Sequence, residues 1–80
     1  MTKMISNELK KIILKELKLE DFDFRDETAA YQVPGWDSLN HVNVIIAVEK
    51  FYNIRFKNIE ILRLTNIGDL QKLVNAKLLL

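Results

Sequence analysis

One short stretch of this chain holds residues that could do chemistry: Pro34-Gly35-Trp36-Asp37-Ser38-Leu39, with His41 three positions beyond the serine. A catalytic serine needs a base, a third group that orients the base, and donors for an oxyanion. His41 is the only histidine, and nothing nearby clearly supplies the other parts. His41 therefore reads as a polar surface contact. A second chemistry asks less of the neighbours. If a helix starts at Asp37-Ser38, its unpaired amides and dipole make the serine's surroundings electropositive, so a phosphate esterified to Ser38 is stabilised there. The dipole contributes only about 0.3–1 kcal/mol at an exposed end, a bias and not a driving force. Asp37 suits the N-cap, and the same Asp-Ser pair is also ordinary helix capping. The dipeptide alone decides nothing.

Other chemistries lack their residues. The absence of cysteine excludes disulfides, thiolate metal sites and a thiol nucleophile from the chain. A single histidine makes a poor metal site, so no metal is expected. Gly35 and Gly68 are the only glycines, too few for a phosphate loop or dinucleotide fingerprint. Twelve Lys and Arg against eleven Asp and Glu give a formal charge of +1, which asks for neither nucleic acid nor an anionic membrane. A helix-turn-helix reading would make residues 38–52 the recognition helix, yet that segment holds one Lys and no Arg. No apolar run approaches the roughly 20 residues of a membrane span, and no signal peptide is visible. A cytoplasmic location follows as the expectation.

The elements that must position Ser38 are helical. Ile5, Leu9, Ile12, Ile13 and Leu17 gather on one stripe, predicting a helix over 3–17 with Thr2 as its cap. Residues 18–37 lose that pattern. Pro34-Gly35 and the acids Asp21, Asp23, Asp26 and Glu27 argue for an ordered loop, held to the core by Phe22, Phe24, Tyr31 and Trp36. A second helix is predicted over 38–52, ended by Asn53 in the left-handed conformation. After an extended Ile54-Arg55-Phe56, Asn58 is expected to cap a short helix through Leu64. Thr65 or Asn66 then starts a last helix to Leu78, with the closing leucines fraying or packing back. On the second helix, Ile45, Val48 and Tyr52 are assigned to the core. Leu39, Val42 and Ile46 share a neighbouring stripe that could be either core or a partner-facing edge. Eighty residues make one domain, and folding at this size buries only roughly 60–65% of the chain's surface, which disfavours a deep catalytic pocket.

Gly35-Trp36-Asp37-Ser38-Leu39 resembles the attachment motif of acyl carrier proteins, in which Asp-Ser-Leu opens the second helix. Ala47-Val48-Glu49-Lys50-Phe51-Tyr52 resembles the end of that helix, Ile54 and Phe56 the apolar residues after it, and Thr65-Asn66-Ile67-Gly68-Asp69-Leu70 the start of the last helix. The likeness spans about residues 5–78. It implies an all-α bundle of three main helices plus one short helix, with residues 1–80 a single acyl carrier domain. It implies further that a phosphopantetheinyl transferase moves 4′-phosphopantetheine from coenzyme A to Ser38, and that the arm's thiol carries acyl groups as thioesters. Asp37 belongs to the motif, and Leu39, His41, Val42 and Ile46 would meet partners. Those partners are the transferase and the acyl-loading and acyl-processing enzymes of fatty-acid, polyketide or related biosynthesis; the carrier itself would be a monomer and no enzyme.

The chain departs from the family in charge. Typical fatty-acid carriers line the second helix with acids, whereas here the corresponding face holds Asn40, His41, Asn43 and Lys50, with Glu49 the only acid after Asp37. Electrostatic complementarity governs encounter rate and partner choice, so a dedicated carrier of a specialised pathway is expected. The Gly-Trp-Asp-Ser-Leu form resembles stand-alone carriers of secondary or surface-polymer biosynthesis. A peptidyl or aminoacyl carrier, and a helical interaction module without a prosthetic group, are the alternatives.

Overall fold

The computed structural model describes residues 5–79. Four α-helices follow one another: α1 (Asn7–Leu17), α2 (Ser38–Tyr52), α3 (Asn58–Leu62) and α4 (Ile67–Leu78). The long connection from α1 to α2 carries one 3-10 turn, Ala30–Gln32, and no strand occurs among the described residues. This is the all-α arrangement of three main helices and one short helix that the sequence predicts.

The first helix begins later than its apolar spacing suggests. Ser6 has an extended backbone, and its Oγ accepts the Leu9 amide at 3.2 Å, so Ser6 is the cap and the helix starts at Asn7. Thr2 lies outside the described residues, as do residues 3 and 4 of the expected helix. Lys18 ends α1 in the left-handed conformation (φ 57°), its amide turned back to the carbonyls of Leu14 and Lys15. Asn53 does the same for α2 (φ 56°), as expected from its short polar side chain.

Asn58 is the first residue of α3, not its cap. The capping position falls to Lys57, whose amide donates to Glu60 Oε1 at 2.7 Å while its carbonyl accepts the Glu60 amide at 3.0 Å. The Glu60 carboxylate thus reaches back to the capping residue's own amide, whereas an Asn cap would accept an amide inside the helix. For α4, Asn66 is the cap, its Oδ1 accepting the Asp69 amide at 2.7 Å. Leu78 closes α4, Leu79 is exposed beyond it, and Leu80 lies outside the described residues.

Apolar faces from every long element meet in one core. α1 gives Leu9, Ile13 and Leu17, α2 gives Val44, Ile45 and Val48, and α4 gives Ile67, Leu70 and Val74. The loop adds Phe24 and Val33, and Phe56 comes from the segment before α3. Burying a side chain of this kind stabilises by roughly 1.5–3 kcal/mol, which explains why the loop is ordered despite its length. Its polar backbone is satisfied as well. The Ile67 amide donates to Thr28 O and the Gly68 amide to Asp26 O, both at 2.8 Å, so the loop carbonyls fill two of the bonds that the start of α4 lacks. Buried Gln71 joins α4 to the head of α1, accepting the Ser6 amide at 2.8 Å and donating to Asn75 at 3.0 Å.

Candidate functional site

The approach to Ser38 is a tight turn. Trp36 N–H donates to Val33 O at 3.2 Å, with Pro34 second and Gly35 third in the turn. Gly35 has φ 80°, the value a type II turn needs at that place and one that side-chain-bearing residues rarely adopt. Asp37 is then extended, and its carboxylate accepts the Asn40 amide at 2.8 Å. Asn40 works in the other direction too, donating from Nδ2 to Gly35 O at 2.8 Å. Asn43 donates to Asn40 Oδ1 at 3.3 Å. Turn and helix start are therefore stitched together around the serine. Ser38 is the first helical residue and is exposed.

Trp36 and His41 bracket that serine. Trp36 Nε1 donates to His41 Nδ1 at 3.1 Å, and the rings lie 6.1 Å apart. Indole nitrogen only donates, so His41 accepts here. Its ring is half-buried and turned to Trp36, which sets it apart from a free surface base. Both rings line a small cavity of about 50 Å³, together with Ala30, Ile45, Leu64, Thr65, Asn66, Ile67 and Leu70. The cavity runs between the start of α2 and the start of α4. Beside it, Asp69 is held below the usual carboxylate range by the Thr65 hydroxyl and then the Thr65 amide, which both donate to it.

Leu39, Val42 and Ile46 lie together on the outer side of α2, 71, 52 and 43% exposed. Ile45 and Val48 of the neighbouring stripe are buried, while Tyr52 is half-buried with its hydroxyl 3.4 Å from Ser6 Oγ. The division of α2 into a core stripe and an outer stripe thus follows the helical spacing. Asn40 had no signal beyond its place three residues after Asp37, and Ala30, Leu64 and Thr65 reach the cavity only through the tertiary fold. Among the described residues no cluster of three or more His, Asp or Glu could hold a metal.

A single exposed serine at a capped helix start, on a helical body with a narrow cavity beside it, defines a carrier scaffold more readily than a catalytic pocket. No protein-family model matches the chain. It is 23% identical over 72 residues to the acyl carrier protein of Wolinella succinogenes, covering 90% of this chain and 95% of that one. It also resembles the solution NMR structure of holo acyl carrier protein from Geobacter metallireducens, with a TM-score of 0.86 and 34% identity over 99% of this chain and 88% of that one. The chain belongs to the acyl carrier protein family. Members of that family are carriers and not enzymes, and partner proteins perform the chemistry.

Proposed function

We propose that Ser38 is the attachment point of a 4′-phosphopantetheine arm and that the described residues act as one acyl carrier unit. The observation that carries this reading is the exposed Ser38 in the first turn of α2, a helix start fixed by the Asp37 cap. The residues fit the group. Ser38 offers an accessible oxygen, and the helix start favours the negative charge of a phosphodiester. When bound, the arm supplies the thiol that this cysteine-free chain lacks and holds acyl groups on it as thioesters.

The chain's own residues anchor and present. The Ser38 oxygen would form the phosphoester as the pyrophosphate bond of coenzyme A breaks, its hydroxyl proton being lost and adenosine 3′,5′-bisphosphate leaving. Asp37, Asn40 and Gly35 hold that oxygen's backbone in one orientation, so the transferase meets a preformed turn. Leu39, Val42 and Ile46 form the surface that the transferase and the acyl-loading and acyl-processing enzymes touch, and His41 supports Trp36 at the cavity mouth. We assign the protein to a specialised biosynthetic pathway, because Glu49 is the one acid in its second helix, and we place it in the cytoplasm. It works as a monomer.

Incubation with coenzyme A and a permissive phosphopantetheinyl transferase, followed by intact-mass analysis, tests the reading. The expected result is the gain of one arm, mapped to a Ser38 peptide and absent in Ser38→Ala. A folded chain that gains no mass with any transferase overturns it in favour of a helical interaction module. Charging of the modified chain by an amino-acid-activating enzyme would assign a peptidyl carrier instead.

A further inference from the structure

We infer that the enzymes meeting α2 present an apolar patch rimmed by acidic side chains. This rests on the carrier reading, since an enzyme working at Ser38 must approach the start of α2. Lys50 is 12 residues beyond Ser38, about 18 Å along the helix at 1.5 Å per residue. A protein interface of ordinary size, about 800 Å² on each side, spans that distance. Leu39, Val42, Ile46 and Lys50 follow one another at spacings of three and four, and all four are exposed.

Two cations stand against one carboxylate on this face. Between Ser38 and Phe56 the charged residues are Glu49, Lys50 and Arg55. Glu49 is turned back on the chain, its Oε2 accepting the Phe56 amide at 2.8 Å. Lys50 and Arg55 are exposed and form no ion pair among the described residues. Together with Ile46, Glu49, Asn53 and Ile54 they line a shallow groove of about 430 Å³ that continues the apolar stripe. Asp37, the acid just before Ser38, sits at the opposite end of the helix and is engaged as its cap. An apolar stripe ending in two free cations selects acids on the partner and repels the basic patches that suit an acidic carrier.

The unmodified chain is titrated with two designed amphipathic helical peptides that share a leucine face, one flanked by glutamates and the other by lysines. Binding is followed by backbone amide shifts. The glutamate peptide is expected to move the amides of Leu39, Val42, Ile46, Lys50 and Arg55, with affinity falling as salt is raised. The lysine peptide should bind at least about tenfold more weakly. Lys50→Gln/Arg55→Gln should lose about threefold to tenfold in affinity for the glutamate peptide, as expected for two exposed ion pairs, and Lys50→Glu/Arg55→Glu should lose more. Equal or tighter binding of the lysine peptide, shifts confined to other faces, unchanged binding by the charge-reversed variant, or no binding of either peptide would each overturn the inference. Because no arm is involved, these outcomes are separate from failure of Ser38 modification, which strikes the carrier reading alone.

Discussion

The amide of Gly68 donates to the carbonyl of Asp26 at 2.8 Å, and a Cβ built on Gly68 would stand only 2.7 Å from that same oxygen. Helix and loop approach too closely for any side chain, because the obstacle is backbone on both sides. Gly68→Ala is therefore expected to push the loop off α4 and destabilise the fold by about 1–3 kcal/mol. Urea unfolding should show a lower midpoint, and an unchanged midpoint would show that the loop yields freely.

Asp37 has a cap to lose. Asp37→Ala removes the acceptor of the Asn40 amide and should cost about 1 kcal/mol. Asp37→Asn retains an acceptor oxygen and should cost much less. The two variants compared by thermal unfolding separate capping from charge, and equal losses would mean that charge dominates.

Lys18 occupies left-handed backbone with φ 57°. That conformation costs a side-chain-bearing residue roughly 1–2 kcal/mol, while glycine adds back about 0.5–1 kcal/mol in chain entropy. Lys18→Gly should accordingly raise stability by about 0.5–1 kcal/mol. A decrease would mean that the lysine side chain contributes more than its backbone position costs.

Asp21, Glu60 and Asp69 lie below their ordinary pKa range. Asp21 is lowered by the hydrogen bond from Lys10, Glu60 by the Lys57 amide and then by Lys77, and Asp69 by the Thr65 hydroxyl. A folded-state pKa lowered in this way contributes stability above the unfolded value and loses it as pH falls through the folded one. The urea midpoint should consequently drop as the pH goes below about 4. Asp69→Asn should make that drop shallower. All three groups are close to solvent, so the effect is modest, and a midpoint indifferent to acid would contradict it.

Local patterns in the sequence were enough for the helices and for the cap at Asp37, because capping and apolar periodicity act over three or four residues. The division of α2 into Ile45 and Val48 inside and Leu39, Val42 and Ile46 outside was legible only as two adjoining stripes. The outer stripe's exposure depends on which neighbours pack where. Competing caps were harder. The sequence names Thr2 at the start of α1, whereas the cap at Ser6 is supported by Gln71, 65 residues away, which holds the Ser6 amide. Asn58 was displaced by the reach of Glu60, a side chain three positions after Lys57. The cavity beside Ser38 left no local trace, since Ala30, Ile45 and Leu64 meet only when the loop, α2 and α4 are assembled.

Trp36 is the sole tryptophan of the chain, its indole N–H committed to His41 and its ring set against the cavity wall. Tryptophan emission from this protein therefore originates at one known spot, two residues from the serine. Any guest that enters the cavity, or any enzyme that covers the turn, alters the surroundings of that single fluorophore. The chain thus carries its own optical gauge of loading and docking, readable in real time without an added label.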